Sequence, residues 1–157
     1  MRSRIEIDVD ARSQRVFDLA RDVTQWPALL PHYRKVTVLS RDGGEVTAAM
    51  HATRQAGPLG IPVRWRARTW AEGADPEDLR LRFVHTGGAT RGMDVTWHIT
   101  ARGATGSKVV IEHVFVRPLP LIGTELLPAI VDRFFVRPIA ARTLSTFKRL
   151  AESEAST

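Results

Sequence analysis

The chain has 157 residues, of which 43% are hydrophobic and 25% are charged, a composition typical of one globular domain rather than a disordered chain. It contains no cysteine, which excludes disulfides, thiolate nucleophiles and cysteine-ligated metal sites. Its net charge of +6 is carried mostly by arginine and is compatible with an acidic partner or an anionic ligand.

The N-terminal segment predicts a strand followed by two helices. Residues 4–9 alternate apolar and polar side chains, which is the pattern of a half-buried strand. Residues 12–22 carry apolar side chains at helical spacing, and a short second helix is expected next, with Pro27 in its first turn and Pro31 near its end. The segment lacks the apolar core of a signal peptide, and no apolar run approaches the ~20 residues of a membrane span, so we expect a cytoplasmic protein.

The middle of the chain predicts six further strands in an antiparallel meander. Between Arg34 and Arg117 the apolar residues show no helical period, and clusters of glycine and proline divide the segment at short intervals. The expected strands cover residues 34–41, 45–54, 62–71, 79–86, 92–101 and 107–117.

The remaining segment predicts one long helix. One apolar face is traced by Leu126, Ile130, Phe134, Ile139, Thr143, Phe147 and Leu150. Pro138 should kink this helix because proline lacks the backbone N–H of a helical hydrogen bond. An antiparallel sheet with its helices on one face is an α+β fold. We expect a single domain over residues 1–153 and a disordered tail over 154–157.

Several short segments resemble a known family. They are Trp26-Pro27 with the residues up to Tyr33, Thr86-Gly87, Val95 to Trp97, and Arg117-Pro118. They resemble the polyketide cyclase/dehydrase branch of the START-like (SRPBCC, helix-grip) superfamily. The resemblance implies a seven-stranded curved antiparallel sheet wrapped around a long C-terminal helix, with a deep cavity between them for an apolar or aromatic ligand. Members of this superfamily include cyclases, aromatases, lipid and sterol carriers, quinone-binding proteins and hormone receptors.

The arginine pattern predicts which strand faces point into such a cavity. Arg64, Arg66 and Arg68 occupy alternate positions, and unpaired guanidinium groups cannot lie inside an apolar space, so they must face solvent. The inward residues of the same strand are then Val63, Trp65, Ala67 and Thr69. The same reasoning places Leu79, Leu81, Phe83, His85, Met93, Val95, Trp97 and Ile99 inward.

Nine residues are the expected ligand-binding set, and their alternative role is ordinary core packing. They are Trp26, Trp65, Thr69, Phe83, Met93, Val95, Trp97, Ile130 and Phe134. By resemblance, Trp26 and Tyr33 lie near the cavity mouth.

Two residues are candidates for acid or base catalysis. Tyr33 has the only phenolic hydroxyl of the chain and can serve as a hydrogen-bond donor or a weak acid, or can bond to backbone. The last strand is apolar on both sides, so its orientation is left open by the pattern. The alignment of Arg117-Pro118 with the family turns Glu112 inward, and the opposite orientation places His113 inside.

One departure from the family pattern affects the expected activity. Aromatase/cyclase members are expected to carry inward serine and arginine residues on the fourth and fifth strands, where this chain has Ala67, Thr69 and Phe83. We therefore expect binding of a hydrophobic small molecule, such as a polyketide, lipid or quinone, with cyclase or dehydratase chemistry left open. The alternatives are a non-enzymatic carrier or sensor, and a ribosome-associated or other protein-interaction module of the same superfamily.

The basic residues suggest a surface role. Arg64, Arg66 and Arg68, together with Arg80 and Arg82 on the next strand, define an outer arginine stripe. We expect this stripe to be solvated and partly balanced by acids, with an acidic acyl carrier protein as a candidate partner and nucleic acid as a weaker one. The five histidines lack the spacing of a metal site, and no cofactor motif is present, so we expect neither a metal nor a cofactor.

Overall fold

The computed structural model of the chain describes residues 1–73, 75, 77–116 and 130–153. Its strands are β1 (Arg2–Val9), β2 (Tyr33–Asp42), β3 (Glu45–Ala56), β4 (Leu59–Glu72), β5 (Leu79–Gly88), β6 (Met93–Arg102) and β7 (Gly106–Phe115). Its helices are α1 (Ser13–Arg21), α2 (Trp26–Leu29), which follows a 3₁₀ turn (Val23–Gln25), and α3 (Arg137–Ser153), which follows a π-helical turn (Asp132–Val136). The predicted order of elements is confirmed.

All seven strands form one antiparallel sheet in the order β1-β7-β6-β5-β4-β3-β2. The strands from β2 to β7 pair with their sequence neighbours because the connections between most of them are only a few residues long. Each of these five connections contains a glycine with positive φ, for example Gly43 at 56° and Gly103 at 65°. The first strand completes the sheet by pairing with the last, from Arg2 opposite Val114 to Val9 opposite Ser107.

The core lies on the concave face of this curved sheet. Alternate residues of each strand point to it, for example Ala48, Met50 and Ala52 of β3. One buried cluster joins these side chains to α1, α2 and α3. The helix α3 contributes Thr143, Leu144 and Phe147 among others. The arrangement is the helix-grip fold that the sequence predicted.

The helical segment before α3 is irregular, as the position of Pro138 predicts. The N–H of Arg137 bonds to the carbonyl of Asp132, five residues back, which is the π-helical spacing. Proline at the next position cannot donate a helical hydrogen bond, so the regular pattern must change near it. The predicted start of this helix near Leu126, the Arg117-Pro118 pair and the tail 154–157 lie outside the described residues. No helix among the described residues is long and apolar enough to span a membrane.

Candidate functional site

A cavity lies between the concave face of the sheet and the C-terminal helical segment. About 90 Å³ of it is open to water-sized molecules, which corresponds to room for about three waters at their liquid volume of ~30 Å³ each. Its walls are mostly apolar and are provided by Trp65, Phe83 and Val95 on the sheet and by Phe135 and Ile139 on the helical segment. This combination of a concave shape and an apolar wall is typical of small-molecule sites.

Most of the predicted ligand-binding residues line the cavity. Six of the nine predicted residues line it, namely Trp26, Trp65, Phe83, Met93, Val95 and Trp97. Thr69 is buried on the same face of β4 but does not line the cavity. Ile130 and Phe134 are each 45% exposed, so their predicted inward position was wrong.

The error at Phe134 has a simple geometric origin. A helix returns to the same face after three or four residues, so counting back from Ile139 leads to Phe135 and Val136 rather than to Phe134. Phe135, Val136 and Ile139 all line the cavity. The predicted face had instead placed a step of five residues between Phe134 and Ile139 at the proline kink.

Four aromatic rings pack together at one part of the cavity wall, and we call them the packed aromatic group. Trp26 lies at the centre, with ring centroids 5.7 Å from Phe83, 5.9 Å from Trp97 and 6.0 Å from Phe147. The indole Nε1 of Trp26 donates a hydrogen bond to the carbonyl of Ala20 at 3.0 Å. The indole is therefore fixed by packing and by its polar tip, which is typical of core.

Tyr33 brings a phenol to the cavity wall, close to a small polar group. It is 6% exposed, and burial raises the pKa of its phenol well above the usual range, while the nearby Thr143 hydroxyl acts in the opposite direction. The Thr143 hydroxyl donates to the carbonyl of Ile139 at 2.9 Å and contacts His32 Nε2 at 2.8 Å. Since that hydroxyl proton is used, His32 Nε2 carries the donated proton. Tyr33 is thus a neutral hydrogen-bonding group.

A second polar group consists of His85, Thr90 and His113, which all line the cavity. His85 Nδ1 contacts the Thr90 hydroxyl at 2.7 Å, and its ring stacks against Trp65 with centroids 5.9 Å apart. Burial lowers the pKa of His85 to about 3, with a smaller effect from His113. Burial is also the main cause that lowers the pKa of His113 to about 4. Both imidazoles are neutral at pH 7.

His113, and not Glu112, is the residue of β7 that faces the cavity. His113 is 7% exposed, and its Nδ1 is buried with no hydrogen-bond partner among the described residues. Glu112 lies on the outer face, 41% exposed, where it bonds to Arg4 at 2.9 Å. The predicted inward position of Glu112 was therefore wrong. The apolar pattern of β7 fits both orientations, and only its pairing with β1, which sets Glu112 opposite Arg4, determines the face.

The π-helical turn adds a buried carboxylate near His113, paired with a half-exposed arginine. Asp132 is 8% exposed and accepts a hydrogen bond from Arg137 Nε through Oδ2 at 2.7 Å. Its other oxygen, Oδ1, is buried without a partner among the described residues. Asp132 raises and Arg137 lowers the pKa of His113, so their opposing effects leave burial as the deciding one.

The outer arginine stripe lies on the convex face, as predicted. Three of its five arginines form ion pairs: Arg68 with Glu45 at 3.6 Å, Arg80 with Asp78 at 2.6 Å and Arg82 with Glu72 at 3.8 Å. Arg64 and Arg66 have no ion-pair partner among the residues that the structure describes. The stripe is therefore partly balanced by acids, as the sequence predicted.

Comparison with known proteins identifies the family of the chain and several solved structures with a similar fold. A family model described as polyketide cyclase/dehydrase and lipid transport matches residues 9–135. No curated protein matches the chain. TTHA0849 from Thermus thermophilus is 25% identical, with a TM-score of 0.76 and full coverage of both chains. The Zhui aromatase/cyclase from Streptomyces sp. R1128 is 20% identical, with a TM-score of 0.74 over 99% of this chain and 95% of that one. A START superfamily protein from Mycobacterium smegmatis is 11% identical, with a TM-score of 0.65 and 97% coverage of both chains.

Proposed function

Since the chain belongs to the polyketide cyclase/dehydrase and lipid transport family, we propose that it binds a small, mostly apolar molecule in the cavity beside the C-terminal helix. The observation that carries this proposal is the open apolar space with neutral polar side chains on its wall. Membership of a family with this fold does not determine a reaction, so the function must be argued from the site.

The walls define the ligand that fits best. Flat aromatic side chains such as Trp65 and Trp97 favour a rigid, planar molecule. Tyr33 and His113 are buried, His85 is half-buried, and all three are neutral, so they match the carbonyl and hydroxyl groups of a polyketide or quinone. The open space of about 90 Å³ is smaller than the ~150 Å³ of a cavity that encloses benzene, so it receives one edge of a ring system or the end of a longer chain, with the rest of the ligand towards the open side of the cavity.

Ligand binding is testable in two ways. Native mass spectrometry of the protein purified from its own host should show a co-purified apolar molecule. Isothermal titration with 2-naphthamide, a neutral planar probe with one fused-ring unit, should show binding that weakens about tenfold in Trp65→Ala because a ring of the wall is lost. If neither a co-purified molecule nor probe binding is found, the proposal fails and a protein-interaction role becomes the better explanation.

A catalytic role is the second candidate, and the orientation of His113 favours it. His113 lines the cavity, its Nδ1 has no hydrogen-bond partner among the described residues, and its lowered pKa keeps the imidazole neutral at pH 7, so the ring can accept a proton from a carbon next to a carbonyl group. Tyr33 is suited to donate a hydrogen bond to that carbonyl, since its raised pKa keeps the phenol protonated. Proton abstraction of this kind begins the dehydration of a β-hydroxy thioester: the proton that His113 takes from the α-carbon then passes to the β-hydroxyl, which leaves as water while the C=C bond forms.

Turnover of a β-hydroxyacyl thioester separates the catalyst from a carrier. We expect His113→Gln to remove any dehydration activity and Glu112→Gln to preserve it, because Glu112 lies on the outer face. Activity that survives in His113→Gln excludes the base role, and activity that is absent from the wild-type protein favours a carrier or sensor.

A further inference from the structure

Arg54 is an inward-facing guanidinium at the edge of the cavity. It has the same orientation in β3 as the buried Met50 and Ala52, because alternate strand residues share a face. Its guanidinium carbon lies 5.7 Å from the ring centroid of Phe134 and 5.8 Å from that of Phe135. Phe135 lines the cavity. The charge of Arg54 is thus held where the apolar wall reaches the surface.

One nitrogen of the Arg54 guanidinium group has no hydrogen-bond acceptor in the described part of the chain. This nitrogen is Nε, and it is buried. A second guanidinium, that of Arg133, lies 6.0 Å from the Phe134 ring. Neither arginine forms an ion pair with a carboxylate in the part of the chain that the structure describes. A buried donor of a charged group without an acceptor is unfavourable, and two guanidinium groups around one ring concentrate positive charge.

We propose that Arg54 binds the carboxylate of the ligand while the apolar body of the ligand fills the cavity. This inference rests on the proposed function and narrows it to planar or chain-like carboxylic acids. A carboxylate matches the planar fork of a guanidinium and would supply an acceptor for Nε, which has none in the described part of the chain. The described residues that line the cavity include no lysine or arginine, and the lining histidines are neutral, so an anion has its favourable position at Arg54.

The position of Arg54 also changes the conclusion drawn from the fourth and fifth strands. Those strands carry no inward arginine, since Arg64, Arg66, Arg68, Arg80 and Arg82 all face outward. The inward charge comes instead from the end of β3, where the strand leaves the core. A guanidinium at this edge keeps contact with solvent and avoids the cost of full burial.

A matched pair of probes tests the proposal. 2-Naphthoate and 2-naphthamide have the same size and shape, but only the first is an anion at pH 7. By isothermal titration of the full chain we expect Arg54→Gln to weaken 2-naphthoate binding about tenfold or more and to change 2-naphthamide binding less than about twofold. Arg54→Met, which keeps an apolar stem on the two rings, should behave in the same way if the glutamine variant does not fold. Arg66→Gln, with the same charge change on the outer face, should leave the binding of both probes unchanged.

The outcomes distinguish this inference from the proposed function. If 2-naphthamide does not bind the wild-type protein, the proposed function itself fails. If 2-naphthamide binds but Arg54→Gln and Arg54→Met leave the ratio of the two affinities unchanged, only the carboxylate site is wrong. An equal loss of 2-naphthoate binding in Arg66→Gln shows a general charge effect and also overturns the assignment.

Discussion

Two groups of aromatic side chains between sheet and helix differ in how they are packed. In the packed aromatic group, Trp26 has the rings of Phe83, Trp97 and Phe147 within 5.7–6.0 Å, so the rings cover much of one another although three of them also border the cavity. Trp65, which is only partly buried, stacks on His85 and borders the same cavity. The first arrangement is core packing, and the second leaves more aromatic surface uncovered. Similar residues therefore have different roles, which substitutions should separate.

The largest expected effect is the loss of stability when a ring of the packed aromatic group is removed. Trp26→Ala removes a ring that is 3% exposed and leaves the Ala20 carbonyl without its indole donor. We expect the free energy of unfolding to fall by about 3–5 kcal/mol, measured by urea denaturation. Trp70→Ala on the outer face is the control, with a loss of about 1 kcal/mol. Equal losses in the two variants would contradict the assignment of Trp26 to the core.

Three histidines with lowered pKa values make the stability of the protein depend on pH. The pKa of His113 falls from 6.5 in water to about 4 in the folded protein, mainly through burial. The unfolded chain therefore binds more protons between these values, so stability is complete above pH 6.5 and declines as the pH falls towards 4. Each such histidine contributes a slope of about 1.4 kcal/mol per pH unit in that window. His85, with a pKa lowered to about 3, and His32, with a pKa lowered to about 4, act in the same direction.

Substitution of one histidine isolates this effect from the titration of carboxylates. His113→Gln should reduce the slope of unfolding free energy against pH by one proton between pH 6 and 4.5, roughly the range between the two pKa values. Leu39→Ala, at a position that is 52% exposed and carries no titratable group, should leave the slope unchanged. An unchanged slope in His113→Gln would mean that folding does not lower the pKa of His113, which would contradict its burial beside the cavity.

A smaller effect on stability and a clear effect on ligand binding are expected when Trp65 is replaced. Trp65→Ala should lower the free energy of unfolding by only about 1–2 kcal/mol, since one side of the ring faces the cavity. It should weaken 2-naphthamide binding about tenfold, measured by isothermal titration. Loss of stability comparable with that of Trp26→Ala would indicate that Trp65 is packed as tightly as the rings around Trp26.

The sequence determined the strands and most of their faces because these follow from local patterns. Alternating arginines set the orientation of β4, and the burial of Trp65, Ala67 and Thr69 relative to Arg64 and Arg66 agrees with it. Where a strand has polar residues on one side only, a period of two is sufficient. The inward position of most of the predicted ligand-binding set follows from this rule.

The errors occurred where local patterns are ambiguous. In β7 apolar residues lie on both sides, so the choice between Glu112 and His113 depended on pairing with β1, which is a long-range property. The choice of Phe134 over Phe135 depended on the helical phase next to Pro138. The strand period of β3 places Arg54 on the same face as Met50 and Ala52, but a lone arginine near a strand end is usually solvated, so its role depends on the rings that pack on it.

The smallest expected effect concerns the outer arginine stripe, where the ligand site should be insensitive to charge. Replacing Arg64, Arg66 and Arg68 together with serine removes three positive charges, of which only that of Arg68 has an ion-pair partner among the described residues, Glu45 at 3.6 Å. Because exposed ion pairs contribute little, we expect stability to change by less than about 1 kcal/mol. Binding of 2-naphthamide should remain within about twofold, whereas any association with an acidic partner such as an acyl carrier protein should weaken and lose its dependence on salt. Loss of 2-naphthamide binding in this variant would mean that the convex face, and not the cavity, holds the ligand.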